Sequence, residues 1–456
     1  MKKQLLTLAA LSLTTLAAQA QWTNQPIGFS NPSLVITHVD AVDANTVWTL
    51  AMEPLGTDVA VARTINGTTW TTGAVTGLSP DENLTYLDAV DATTAWITTY
   101  NSNTGGSRIL KTTNGGSTWT AQTGGSPFTS ADSFANFVHF FNANEGVAAG
   151  DPDGATPGFE IYTTANGGTT WTRVGNVPAE LTGELGATTF IGTTIRPAVV
   201  GNNIWFLTDA GRVYRSTDRG ATWAVSASGA SGDISGISFT DANNGLLVAP
   251  NATGSNYELR RTTNGGATWA AVAYTGPLHA VAIDNLPGVS GGYITAGPSL
   301  ALLGVNDAGS AYTLNNGATW VSIETSFNHT SLDMVSNALG WSGSVNPTTL
   351  GGNGVNKFSG TVQSVRRDAG LQQALTVYPN PSHDGVFTLS LAKSLPEAAE
   401  VRVTDALGRE VYRTSLNATA ARTTLGLLDL HQQKAGLYTL ELRSASGVAQ
   451  HKLVIQ

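Results

Sequence analysis

One eight-residue box recurs along this 456-residue chain, and it limits the fold more than any other feature. The box reads TTNGGSTW at Thr112–Trp119, TANGGTTW at Thr164–Trp171, STDRGATW at Ser216–Trp223, TTNGGATW at Thr262–Trp269 and TLNNGATW at Thr313–Trp320. Thr64–Trp70 (TINGTTW) is a copy one residue short. The final tryptophans stand at 70, 119, 171, 223, 269 and 320, a repeat of about 50 residues, which is the sequence signature of a radial or stacked array. Asn or Asp with Gly supplies the positive-φ positions of a tight turn, and the Asx side chain can bond nearby backbone amides. Each box therefore predicts a hairpin with a tryptophan leaving it to pack between sheets.

A second landmark precedes each box. It reads VDAVDANTVW to Trp48, LDAVDATTAW to Trp96, then FVHFFNANEGV, AVVGNNIW, ISFTDANNGL, VAIDNLPG and DMVSNALGW. There are seven landmarks and six boxes. The unit ending GWSGSVNPTTLGGNGVNKFSG lacks its box, and QWTNQPIGF at the start of the mature chain resembles the missing strand. Residues 21–362 are thus expected to form seven four-stranded blades, all-β, with Trp22 in the outer strand of the last blade. Closing the ring removes the free edges that an open sheet must protect.

Few charges (12%) and 51 glycines suit short strands and turns. The absence of cysteine excludes disulfides, thiolate metal sites and a Cys nucleophile. Residues 1–20, MKKQLLTLAALSLTTLAAQA, have the basic start, short apolar run and A-x-A end of a secretory signal peptide. No other apolar stretch is long enough to span a bilayer. The net charge of −9 argues against a nucleic-acid partner. Residues 21–370 hold 13 Lys/Arg against 25 Asp/Glu, a formal −12, while 371–456 carry +1.

The boxes resemble the Asp-box, or BNR, repeat of sialidases, sortilin-like receptors and the photosystem II assembly-factor family. That resemblance implies a β-propeller and makes Asn66, Asn114, Asn166, Asp218, Asn264 and Asn315 structural turn residues on the side away from the ligand face. It does not bring sialidase chemistry with it. The enzyme needs an arginine triad, and only Arg196 stands in a channel position, directly before Pro197 rather than in a spaced R-x-P. Gly288–Gly292 matches G-x-S-x-G but falls in a blade hairpin rather than a strand–elbow–helix. No catalytic residue is assigned.

Residues 363–374 read as a linker. After them come LTVYPNP, VTDALGREV and AGLYTLELRSASGVAQHKLVIQ, which resemble the C-terminal sorting domain of type IX secretion cargo from Bacteroidota. Residues 375–456 are expected to form a small Ig-like β-sandwich, with Tyr378, Pro379, Asn380 and Pro381 as the sorting motif. The resemblance implies the type IX machinery as partner. It also implies secretion or display on the outer cell surface once signal peptide and tail are removed.

Binding candidates come from aligning the innermost strands. Counting back five from each landmark gives His38, Tyr86, Phe137, Arg196, Gly236, His279 and Ser331; counting back three gives Asp40, Asp88, His139, Ala198, Ser238, Val281 and Asp333. The intervening positions are mostly apolar, so period-two alternation turns the polar set toward one face, which in a propeller looks into the central channel. The loops add Asp151 and Asp153 of Gly150–Gly154 and the connection from Val174 to Thr194, with Glu180 and Glu184. The Asp151–Asp153 turn is a weak candidate for Ca²⁺, and no other cofactor is expected. The expected protein is a monomeric, non-enzymatic binder of a surface glycan or protein; the alternative is a glycoside hydrolase, which would need two placed carboxylates.

Overall fold

A computed structural model describes residues 21–54, 56–79, 81–187, 195–231, 234–250, 257–300, 304–360, 362, 369–392, 399–405, 409–417, 423–444 and 447–456. The signal peptide and residues 406–408 of the VTDALGREV segment lie outside them. The chain divides into two compact units after Val362.

The first unit is a seven-bladed propeller of four-stranded antiparallel sheets. The innermost strands are Val35–Ala41, Glu82–Ala89, Ala135–Phe140, Ala198–Val200, Gly236–Phe239, Ala282–Asn285 and His329–Ser336. Six blades keep sequence order from the innermost strand outward. The seventh is completed by Gln21–Gln25, which pairs with Gly352–Ser359 in the register Trp22 to Phe358. Trp22 is 3% exposed, and its Nε1 donates to Ser310 Oγ at 2.8 Å in blade six.

The boxes form turns for the reason their composition gives. In the second, Asn114 Oδ1 accepts from the Thr118 amide (3.0 Å) and from Thr112 Oγ1 (3.0 Å), while Thr112 Oγ1 accepts from the Gly116 amide (3.0 Å). Gly115 and Gly116 sit at φ 72° and 86°, where a side chain would be strained. Asn166, Asp218, Asn264 and Asn315 repeat the pattern, and Asn66 holds the short box through the Thr68 and Thr69 amides.

Each box also receives the blade before it. Trp96 Nε1 (3.2 Å) and Lys111 Nζ (2.9 Å) both donate to the Gly167 carbonyl, with the ammonium 4.9 Å from the Trp96 ring. Trp205 and Arg215 do the same at Gly265. Lys357 of blade seven donates to Gly67 of blade one at 2.9 Å. At Gly167 and Gly265 the turn carbonyl thus accepts a tryptophan N–H and a cation from the neighbouring blade, and Lys111 and Lys357 rest on Trp96 and Trp341. The second-strand tryptophans 48, 96, 205 and 341 are at most 1% exposed.

The second unit packs two sheets around Leu375, Phe387, Leu391, Val403, Leu440 and Leu453. One sheet orders Leu375–Tyr378, Val386–Leu391 and Thr423–Asp429; the other orders Glu410–Leu416, Ala399–Asp405, Gly436–Ser444 and Gly447–Ile455. The segment read as a linker differs in part: Ala369–Ala374 is a short helix, and Leu371 is fully buried in this core. Its apolar residues were too few for a periodic signal, so only packing reveals them. Asn380 ties the Tyr378–Pro381 segment to the final strand, accepting the Val454 amide at 3.0 Å and donating to the Lys452 carbonyl at 2.6 Å.

Candidate functional site

All seven innermost strands line one central cavity of about 310 Å³. His38, Asp40, Tyr86, Asp88, His139, Arg196 and Asp333 are among its walls, with Ser238 and Ser331.

The acids follow one geometric rule. Asp40 Oδ2 accepts the Ala89 amide at 2.5 Å, Asp88 Oδ2 the Phe140 amide at 2.8 Å, and Asp333 Oδ2 the Ala41 amide at 2.6 Å. Asp284 Oδ2 accepts the Met334 amide at 2.8 Å. Each carboxylate bonds the residue after the equivalent position of the next blade. The four acids therefore run in series from blade six through blades seven and one to blade two. Such bonds satisfy strand amides that no sheet ladder reaches. The series ends at His139, whose Nδ1 lies 2.8 Å from Asp88 Oδ1.

Arg196 comes from the far wall. Its Nη1 lies 2.7 Å from Asp333 Oδ1 and donates to the Leu332 carbonyl at 3.3 Å, bridging blade four to blade seven. Burial alone would lower the guanidinium pKa, but Asp333, Tyr86 and Asp284 outweigh it and raise it. Burial, then the charges of Asp88 and Asp333, hold the Asp40 carboxyl well above the usual carboxylate range. Burial and Asp333 push Asp284 up to about 7. Burial, with Arg196 nearby, pushes His38 down to about 3 and so keeps its ring neutral. The His38 and Tyr86 rings lie 4.2 Å apart, and burial raises the Tyr86 hydroxyl pKa strongly.

Three candidates lie elsewhere. His279 precedes the innermost strand of its blade and is 7% exposed, with Nδ1 2.9 Å from the Asp307 carbonyl. The alignment placed it three residues out of register, because Asp284 was matched to the turn acids Asp43 and Asp91. Asp284 instead occupies the position of Asp40 and Asp88, and it is the channel residue that the sequence reading missed. The signal was present: Asp43 and Asp91 each follow a second Asp by three residues, and Asp284 does not.

Asp151 Oδ1 accepts from Asn136 Nδ2 (2.8 Å) and the Gly186 amide (2.7 Å), and Asp153 takes Arg173 on both oxygens (2.7 and 2.9 Å). Both fasten the third blade's loop and neither lines the channel. Among the described residues no group of three His, Asp or Glu side chains is placed to hold a metal ion. Glu184 is paired with Arg212, and Glu180 accepts the Gly158 amide; residues 188–194 of that connection lie outside the described residues. Gly288–Gly292 is a turn between two strands, with the Leu286 amide donating to the Gly292 carbonyl.

The boxes sit between the third and fourth strands of blades one to six, at the opposite end of those strands from the connections between blades. One face is thus repetitive and the other varied.

Residues 376–456 match the secretion system C-terminal sorting domain, and residues 68–273 match the photosynthesis system II assembly factor YCF48. The sorting domain marks the chain for secretion to the cell surface by the type IX system. No curated protein matches the chain. Among solved structures, YCF48 bound to D1 peptide is 13% identical, with a TM-score of 0.50 over 75% of this chain and 97% of that one. YCF48 from Cyanidioschyzon merolae is 16% identical, with a TM-score of 0.49 over 74% and 98%. PorZ, a surface component of the type IX secretion system of Porphyromonas gingivalis, is 13% identical, with a TM-score of 0.46 over 95% and 61%. At these identities the likeness to YCF48 shows the propeller fold.

Proposed function

We propose that this protein is a surface-exposed binding propeller that takes a glycan or protein ligand at the mouth of its central channel and catalyses no reaction on it. The observation that carries the reading is the contrast between the channel and the boxes. Seven innermost strands bring different side chains into one cavity, while the boxes repeat one turn from blade to blade. A pseudo-symmetric ring gains specificity only where its blades differ.

The hydrolase reading needs one carboxylate to act on the leaving group and another on water or the anomeric carbon. Here Asp40, Asp88, Asp284 and Asp333 each accept a neighbouring blade's amide, so moving any of them breaks an inter-blade bond. That supports a structural and binding role over general acid–base work. The exported chain would shed its signal peptide and sorting tail, leaving the propeller outside.

The test is a glycan and protein array, with a parallel glycosidase screen, on the full chain and on Ser331→Trp, which fills the channel. Binding lost in the folded variant supports the reading. Binding unchanged in Ser331→Trp, or hydrolysis abolished by Asp284→Asn, overturns it.

A further inference from the structure

The channel gathers more acid than it neutralises. Asp40, Asp88, Asp284 and Asp333 converge from four blades, and among the described residues Arg196 alone of Lys and Arg lines the cavity. Three of the acids have both oxygens engaged. Asp88 holds the Phe140 amide and His139, Asp284 the Met334 and Asn285 amides, and Asp333 the Ala41 amide and Arg196. Asp40 differs. Its Oδ2 takes the Ala89 amide, its Oδ1 has no hydrogen bond to the described residues, and the residue is only 9% exposed.

A second observation, on a residue that is not an acid, points the same way. His38 lies two residues earlier on the same strand face, is 7% exposed and lines the cavity. One ring nitrogen reaches the Leu87 backbone, the other has no hydrogen bond to the described residues, and the Tyr86 ring lies tilted beside it with centroids 4.2 Å apart. Because burial keeps the imidazole neutral, its free nitrogen is an acceptor. A carboxylate oxygen and an imidazole nitrogen, both open to the cavity beside an aromatic ring, select a positively charged N–H donor.

We propose that the channel binds a primary ammonium group, seated against Asp40 Oδ1 and His38 beside Tyr86, with Arg196 as the resident cation at Asp333. The proposal rests on the channel-mouth reading and specifies its ligand chemistry. A lysine side chain or chain terminus of a protein and an amino sugar both present this group. The charged groups facing Asp40 are Asp88, Asp333 and Arg196. Burial, then the charges of Asp88 and Asp333, favour the protonated form of Asp40, and an ammonium ion takes the place of that proton charge.

The test is calorimetric titration of the full chain with Nα-acetyl-lysine methylamide and with glucosamine, against the neutral Nα-acetyl-norleucine methylamide and glucose. At least one amine should bind where its neutral counterpart does not, and which one binds separates protein from glycan. Affinity should rise with pH as Asp40 releases its proton. Asp40→Asn keeps an acceptor for Ala89 and should weaken amine binding about tenfold or more, the scale of one lost charge contact. Arg196→Gln should tighten it. Equal binding of amines and neutral analogues, unchanged affinity in Asp40→Asn, or binding of Ca²⁺ with neither amine overturns the proposal. If an array ligand needs the channel by the Ser331→Trp test while no amine binds, the ammonium assignment falls and the channel-mouth reading stands.

Discussion

Arg196 of blade four and Asp333 of blade seven meet across the central channel, Nη1 to Oδ1, at 2.7 Å. The pair is part-exposed on the arginine side, at 38%, and nearly closed on the aspartate side, at 8%. It braces opposite walls of the ring, and it sets the charge available to a ligand.

The ring closure is expected to carry much of the propeller's stability. Trp22→Ala removes a buried indole and its bond to Ser310, and should cost about 3–5 kcal/mol, as large-to-small aromatic substitutions in cores do. Urea unfolding of the full chain measures it; a midpoint matching the unsubstituted protein would show that the N-terminal strand is dispensable.

Box and channel substitutions should separate. Asn264→Ala removes the acceptor for the Thr268 amide and for Thr262 Oγ1, at a cost of about 1 kcal/mol. Ligand binding should be unchanged. The discriminating result is thermal stability measured beside affinity in the same variant.

Asp88 needs two variants. Asp88→Ala strands the Phe140 amide and His139 and should cost about 1–3 kcal/mol, the penalty of an unsatisfied buried group. Asp88→Asn retains an acceptor and should lose much less. Equal losses in chemical denaturation would mean that the amide bond contributes little.

Two channel groups give opposite pH dependences. Asp284 is raised in the fold to about 7, so its contribution is fully present below its ordinary pKa near 3.8 and is lost as pH rises through 7. His38 is lowered to about 3, so its contribution is present above its ordinary pKa near 6.5 and is lost as pH falls toward 3. Relative to the unsubstituted protein, Asp284→Asn should gain stability as pH rises from 4 to 7, and His38→Gln should gain as pH falls from 6.5. Flat difference curves across that range would contradict the burial of both groups.

The sorting domain should be needed for export. A chain ending before Leu375 should remain in the periplasm of a type IX-competent cell, where the full chain reaches the surface. Fractionation and surface labelling decide it, and surface display of the truncated chain would be the contrary result.

The propeller and its closure were legible because both are repetitive. A box that makes its own turn, as Thr112, Asn114 and Gly116 do, needs only local residues, and its recurrence reports the blade count. Trp22 was found by comparison with the strand at Trp70. The sorting domain was legible through the residues around Asn380, although the helix carrying Leu371 was not. The channel was half legible. Alternation turned Asp40, Asp88, Arg196 and Asp333 inward, since side-chain direction in a strand follows from period two. It could not fix register in blade six, where one turn lacks the paired aspartates, so His279 was drawn into the channel and Asp284 left out. Nor could it show that each channel acid binds the next blade's amide, that Asp151 and Asp153 are consumed by Asn136, Gly186 and Arg173, or that Arg196 reaches blade seven. Those contacts join residues from 15 to 292 positions apart. The ones between blades depend on the angle between blades, which closing the ring imposes and no single repeat encodes.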